Sequence, residues 1–327
     1  MKIKKSILKW LIFFTIRNII LVIKLPAPLY NVPQGRCFHN WCIYDVKKHL
    51  NIDEQIELLK TRGCIIEDEE LTKSILLDIN YYRLTSYFLP FKESDNKYLD
   101  GTSFNKVYRN YLFDRKLRNM LSYIIEHIEV AIKTRIAYYH SLKYGPLGYL
   151  DTNNYNSKFD KTILQANLDK YLKRNEKNPI IIHHINKYEG KFPLWVIIEF
   201  FDFSDTSKMY SQLDIQLQKE IAKSFNTNNT CLSSWLYCLT NLRNCCAHYA
   251  RIYNTIMIAT PATPKKYNFT FKNTFFSYLL VIKELLRGTS DWSNFVIELE
   301  ALIEEYKEDI ELYRLGFPIN WYDLMIN

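Results

Sequence analysis

Arg243, Asn244, His248, Arg251 and Asn254 stand together in one short segment, NLRNCCAHYARIYN. Their types suit cleavage of RNA without a metal. In that reaction a ribose 2′-hydroxyl attacks the adjacent phosphate. A neutral imidazole can take the hydroxyl proton, because histidine titrates near operating pH. A guanidinium can stabilise the negative charge that builds on the phosphorane. An asparagine can orient the imidazole or hold a phosphate oxygen.

Spacing supports this only in part. On a helix Asn244 and His248, four apart, share a face, and Arg251 follows His248 by three. Arg243 and His248 are five apart, so on a regular helix they point about 140° from each other. Two arrangements overcome this: a two-fold pairing that brings two copies into one cleft, or a long arginine side chain reaching round. On spacing alone R-x4-H is a weak signal, and an ordinary polar helix face is the simpler reading. No Walker A, G-x-G-x-x-G or H-E-x-x-H pattern competes for the chemistry. Cys37, His39 and Cys42 form a loose C-x-H-x2-C cluster without a fourth ligand, so neither a metal site nor a cofactor is expected.

The elements that must position these residues read as helices. Apolar residues at three- and four-residue steps (Leu117, Leu121, Ile124, Ile125, Ile128, Ala131, Ile132, Ile136) predict a long helix over Asn105–Leu142. Glu126 and Glu129 interrupt it, either on the solvated side or as a buried partner for an arginine. The segment Leu232–Tyr253 carries Trp235, Leu236, Leu239, Leu242, Cys246 and Tyr249 in helical step, with a cap expected near Thr230–Ser233. Shorter helices are expected over Asp53–Arg62, closed by Gly63, and over Asp68–Ile79, Thr162–Asn175, Pro193–Phe203, Ile215–Phe225, Phe275–Arg287 and Phe295–Tyr313. The aromatic block Asn80–Phe91 reads as a core plug between helices. No alternating strand pattern appears, and the fold class is all-α.

Net charge is +8, but nine of the 43 Lys/Arg and one of the 35 Asp/Glu lie in residues 1–48. That leaves 34 of each sign, so an RNA-binding surface would have to be a local patch. Seven irregularly spaced cysteines do not form a secreted disulfide framework, and a reducing, cytoplasmic setting is expected. The basic, apolar start has three readings: a signal or anchor, a weak membrane-surface segment, or a translated leader. Arg17 and Asn18 split its apolar runs, which disfavours a membrane span or contact by residues 1–25. PAPLYNVPQGR then reads as a loop.

Ordered blocks along the chain carry a resemblance. They are Ile52–Glu70, Ile79–Phe91, Tyr111–Tyr139, Phe192–Tyr210 and Leu242–Asn254. Together they resemble the abortive-infection (Abi) family of phage-defence proteins, AbiD/AbiF-like members of the HEPN superfamily. The resemblance outweighs the bare spacing argument and implies a HEPN-like helical bundle with extra N- and C-terminal helices. It implies an endoribonuclease toxin, usually a homodimer with a composite site, leaving a 2′,3′-cyclic phosphate. The family's motif falls on Arg243, Asn244 and His248 as catalytic residues. Arg251 and Asn254 match its downstream arginine and asparagine, as substrate-binding or helix-supporting residues. It also implies RNA as substrate and a regulatory RNA or antitoxin as a restraining partner. The alternatives are a non-catalytic RNA-binding module and a membrane-associated interaction protein. The expected organisation is a leader or weak membrane-surface segment over 1–48, an Abi/HEPN-like helical domain over 49–260 and a helical extension over 261–327 packed on the same domain. Cys245 and Cys246, at the motif's variable positions, would open the site to oxidation.

Overall fold

Local signals set most helix boundaries in the computed structural model, which describes residues 48–93 and 96–326. Asn51 caps α1 (Ile52–Thr61) by accepting from the Glu54 N–H, while Glu54 reaches back to the Asn51 N–H. Gly63, at φ 88°, takes the left-handed position after it. Asp68 caps α2 (Glu69–Asp78), and Asn80 caps α3 (Tyr81–Thr85), which runs into a 3-10 turn over Ser86–Phe91. The 41-residue α4 (Phe104–Tyr144) follows, capped by Ser103.

Next come α5 (Lys161–Arg174), α6 (Pro179–Tyr188), α7 (Leu194–Ile197), α8 (Phe203–Gln212) and α9 (Ile215–Ser224). The chain continues through α10 (Asn229–Ala247), α11 (Phe275–Leu286), α12 (Ser290–Glu305) and α13 (Trp321–Ile326). Among the described residues no strand forms, only isolated β-bridges, and the class is all-α.

Leu50–Asn327 form one compact unit with two buried clusters. The smaller gathers Ile56, Leu59, Ile75, Leu84, Tyr87 and Phe88 around Phe104 and Val107 at the start of α4. The larger begins at Phe113 and takes in the predicted stripe of α4, whose Leu117, Leu121, Ile124, Ile125, Ile128, Ile132 and Ile136 are all fully buried. Each such side chain contributes about 1.5–3 kcal/mol through removal from water. Trp235, Leu236, Leu239 and Leu242 of α10 join this cluster, as do the C-terminal helices α11 and α12. No described helix is long and apolar enough to cross a membrane.

Several expected boundaries differ. The helix predicted over Leu232–Tyr253 begins earlier and stops at Ala247, and its cap is Asn228, which accepts from the Cys231 N–H. Pro193–Phe203 is not one helix: α7 is short, a 3-10 turn follows, and the chain restarts as α8. The final predicted helix ends at Glu305. Residues 1–47, with the basic leader, the Pro/Gly loop and Cys37, His39 and Cys42, lie outside the described residues.

Candidate active site

His248 is where α10 stops. The N–H of His248 still bonds to the Asn244 carbonyl at 3.0 Å, so Asn244 and His248 share the last turn. The chain then reverses in a Schellman arrangement. The Ala250 N–H reaches the Cys245 carbonyl at 2.8 Å, the Tyr249 N–H reaches that of Cys246 at 3.2 Å, and Tyr249 takes φ 56°. The usual signal for such a stop is a glycine or asparagine. Here a tyrosine holds the position, which explains why helical periodicity ran on past it. Tyr249 is accordingly 67% exposed and not in the core, contrary to expectation.

A buried network holds the loop after the turn. The Asp114 carboxylate, fully buried on α4, accepts four hydrogen bonds. They come from the Tyr87 hydroxyl (2.7 Å), Arg118 Nη1 (2.8 Å) and the N–H groups of Ile252 (2.9 Å) and Tyr253 (3.0 Å). Burial pushes the Asp114 carboxyl up, against the opposing pull of Arg118, Tyr87 and the two N–H groups. Arg118 Nη1 also donates to the Ala250 carbonyl at 3.2 Å, and Arg83 Nη1 donates to that of Tyr249 at 2.6 Å. Every residue from Tyr249 to Tyr253 thus spends a backbone or side-chain group on this clamp, since Arg251 Nη1 donates to the Ser86 carbonyl at 2.6 Å. Arg251 is therefore not on the helix face of His248. It lies beyond the helix, and burial pulls its guanidinium down. Asn254 follows with φ 53°, another left-handed residue.

Arg243 faces elsewhere. It lines a cleft of about 380 Å³ with Ser122, Glu126, Glu129, Val130, Lys133 and Ala247, between α4 and α10. Its Nε lies 3.9 Å from Glu129 Oε2, and Lys133 Nζ holds the other Glu129 oxygen at 2.9 Å. Of the two glutamates that interrupt α4, Glu129 is the one that meets the arginine, and Lys133 offsets its charge. The Arg243 side chain remains 44% exposed. Neither Asn244 nor His248 lines this cleft. Arg243 thus lines a cleft that His248 does not, in keeping with the angle that five-residue spacing sets on a helix.

Burial raises the Cys246 thiol to about 12 and the Cys245 thiol above its usual range, so both resist ionisation and the oxidation that needs a thiolate. Among the described residues no group of three or more His, Cys, Asp or Glu is placed to hold a metal ion.

Asp114, Arg118, Tyr87 and Arg83 were not picked out from the sequence as site residues. One signal was present: an Asp and an Arg at i, i+4 inside an otherwise apolar helical stripe. The blocks that contain them are separated by long stretches of chain, and here they meet at a single loop. The model of a family described as Abi-like protein matches residues 74–254, a span that covers all of them. No curated protein and no solved structure matches the chain.

Proposed function

The chain belongs to the family of Abi-like proteins, and from that premise we propose that it is a phage-defence endoribonuclease of the HEPN type. In this reading His248 acts as general base or acid: it takes the proton from a ribose 2′-hydroxyl, whose oxygen bonds to the neighbouring phosphorus as the P–O5′ bond breaks, and the leaving 5′-oxygen takes a proton from the imidazolium or from water. The products carry a 2′,3′-cyclic phosphate and a free 5′-hydroxyl. Arg243 stabilises the charge that develops on the phosphorane oxygens, and Asn244, one turn before His248, orients the imidazole or a phosphate oxygen. Arg251 and Asn254 belong to the loop that supports His248.

A single observation carries the reading: an exposed histidine ends a helix at a loop clamped by a fully buried carboxylate and three arginines. Such support suits a side chain that must hold its position in water. Because His248 does not line the Arg243 cleft of its own chain, the working site is proposed to form between two copies, each giving what the other lacks.

The test is cleavage of single-stranded RNA in excess chelator by wild type, His248→Ala and Arg243→Ala. Cleavage by wild type alone, with cyclic-phosphate ends, is the expected result. A wild type that binds RNA but leaves diverse RNAs intact makes the fold a non-catalytic RNA-binding module. Cleavage by both variants would discard these residues as the site.

A further inference from the structure

A cleft of about 700 Å³ opens beside α6 and α7, and it takes no part in the chemistry above. Its walls combine two half-exposed aromatic faces, Tyr188 (44%) and Trp195 (51%), with the imidazoles of His183 and His184 and the ammonium groups of Lys187 and Lys191. On α6 His183 and Lys187 are four apart, as are His184 and Tyr188, so the basic and aromatic groups form adjacent rows. Lys187 Nζ lies 5.4 Å from the centre of the Tyr188 ring. His184 engages the Ile180 carbonyl through Nδ1 at 2.9 Å, which leaves Nε2 for another partner. Lys191 is paired with Glu189 at 2.9 Å, while Lys187 has no carboxylate partner among the described residues.

Exposed aromatic faces beside ammonium groups are what a single-stranded nucleic acid needs: bases stack on the rings while phosphates meet the cations. The geometry points to this cleft as a docking site for a single-stranded RNA segment, with a base on Trp195 and a phosphate on Lys187. Pro146 and Leu147, which also line it, follow directly on the C-terminal end of α4. That end lies eleven residues beyond Lys133 at the edge of the Arg243 cleft, or roughly 16 Å along the axis. At about 3.4 Å per nucleotide, a handful of nucleotides covers that distance. The link to cleavage rests on the function proposed above, but the docking site does not.

The probe is a short, fluorescently labelled, 2′-O-methylated single strand, whose blocked oxygen cannot act as nucleophile, so binding is read without cleavage. Wild type is expected to bind it. Trp195→Ala should weaken binding about tenfold, with Trp195→Phe retaining most of it. Lys187→Ala should lower the slope of log affinity against log salt by about 0.7, the value for one phosphate contact on a single strand. Unchanged affinity in both Trp195→Ala and Lys187→Ala overturns the proposal, as does a wild type that does not bind. A Trp195→Ala chain that changes its oligomeric state in sedimentation while binding RNA normally also overturns it, because the cleft is then a contact between copies. Lys187 lies on the surface, so its variant keeps the test decisive if Trp195→Ala fails to fold. Loss of cleavage in wild type with this pattern of binding intact would reject the ribonuclease reading alone.

Discussion

Asp114 has no access to water and four donors around it, so its charge is committed to holding other groups. Replacing it with alanine leaves the Arg118 guanidinium, itself 4% exposed, without its counter-charge. The expected cost is about 3–5 kcal/mol, read as a lower urea midpoint, because an uncompensated buried charge remains. Asp114→Asn keeps the shape and should cost less, about 1–3 kcal/mol, as one amide group meets donors it cannot accept from. His140 makes a different prediction. It is fully buried, neither ring nitrogen has a hydrogen-bond partner among the described residues, and burial pulls it down to about 4. The unfolded chain binds this proton more tightly, at the ordinary value of 6.5. Stability from the neutral ring is therefore complete above about pH 6.5 and falls as pH drops toward 4, by on the order of 3 kcal/mol. Urea midpoints across that range check it, and His140→Phe should flatten this part of the profile.

At the scale of the element, the end of α10 is the decisive feature. A Schellman turn built on tyrosine puts a side chain where glycine is usual, at a cost of about 1–2 kcal/mol for the left-handed backbone. Tyr249 is mostly exposed, so little packing opposes its replacement. Tyr249→Gly should stabilise the fold by about 0.5–1 kcal/mol after glycine's own entropy is counted, measurable as a raised thermal midpoint. At the other end of the helix, Asn228→Ala removes the acceptor for the Cys231 N–H and should cost about 1 kcal/mol. The two ends are unequal in how they were read. An Asn cap is an ordinary start signal, though placed one turn away from where it was expected. The stop carries no local signal, because Asp114, more than a hundred residues earlier, draws the Ile252 and Tyr253 N–H groups out of any helical ladder.

At the scale of the whole molecule, the clamp lies where the two buried clusters meet: Tyr87 belongs to the smaller, Ile252 and Tyr253 to the larger, and Asp114 to the helix that runs through both. The loop under His248 therefore depends on both clusters being formed. The separation of Arg243 from His248 yields a prediction about assembly. If the site is composite, mixing Arg243→Ala chains with His248→Ala chains should restore cleavage. Random pairing gives half mixed dimers with one intact site each, so recovery should approach about a quarter of wild type. Absence of any recovery, with dimers confirmed by sedimentation, would mean that each chain uses its own arginine and histidine.

Periodicity, composition and capping residues were enough to establish an all-α chain, the long apolar stripe of α4, and a polar segment around Arg243 and His248. Those features are local: they repeat every three or four residues, or sit within one turn, so a sequence shows them directly. The angle between Arg243 and His248 on a regular helix was equally legible, because it follows from helix geometry alone. Only the tertiary structure decided which glutamate faces Arg243, where α10 stops, and that Arg251 serves the loop and leaves the helix face. Each of these depends on a partner far away along the chain, and a buried charge chooses its partners by what packing brings within about 3 Å, which no local pattern encodes.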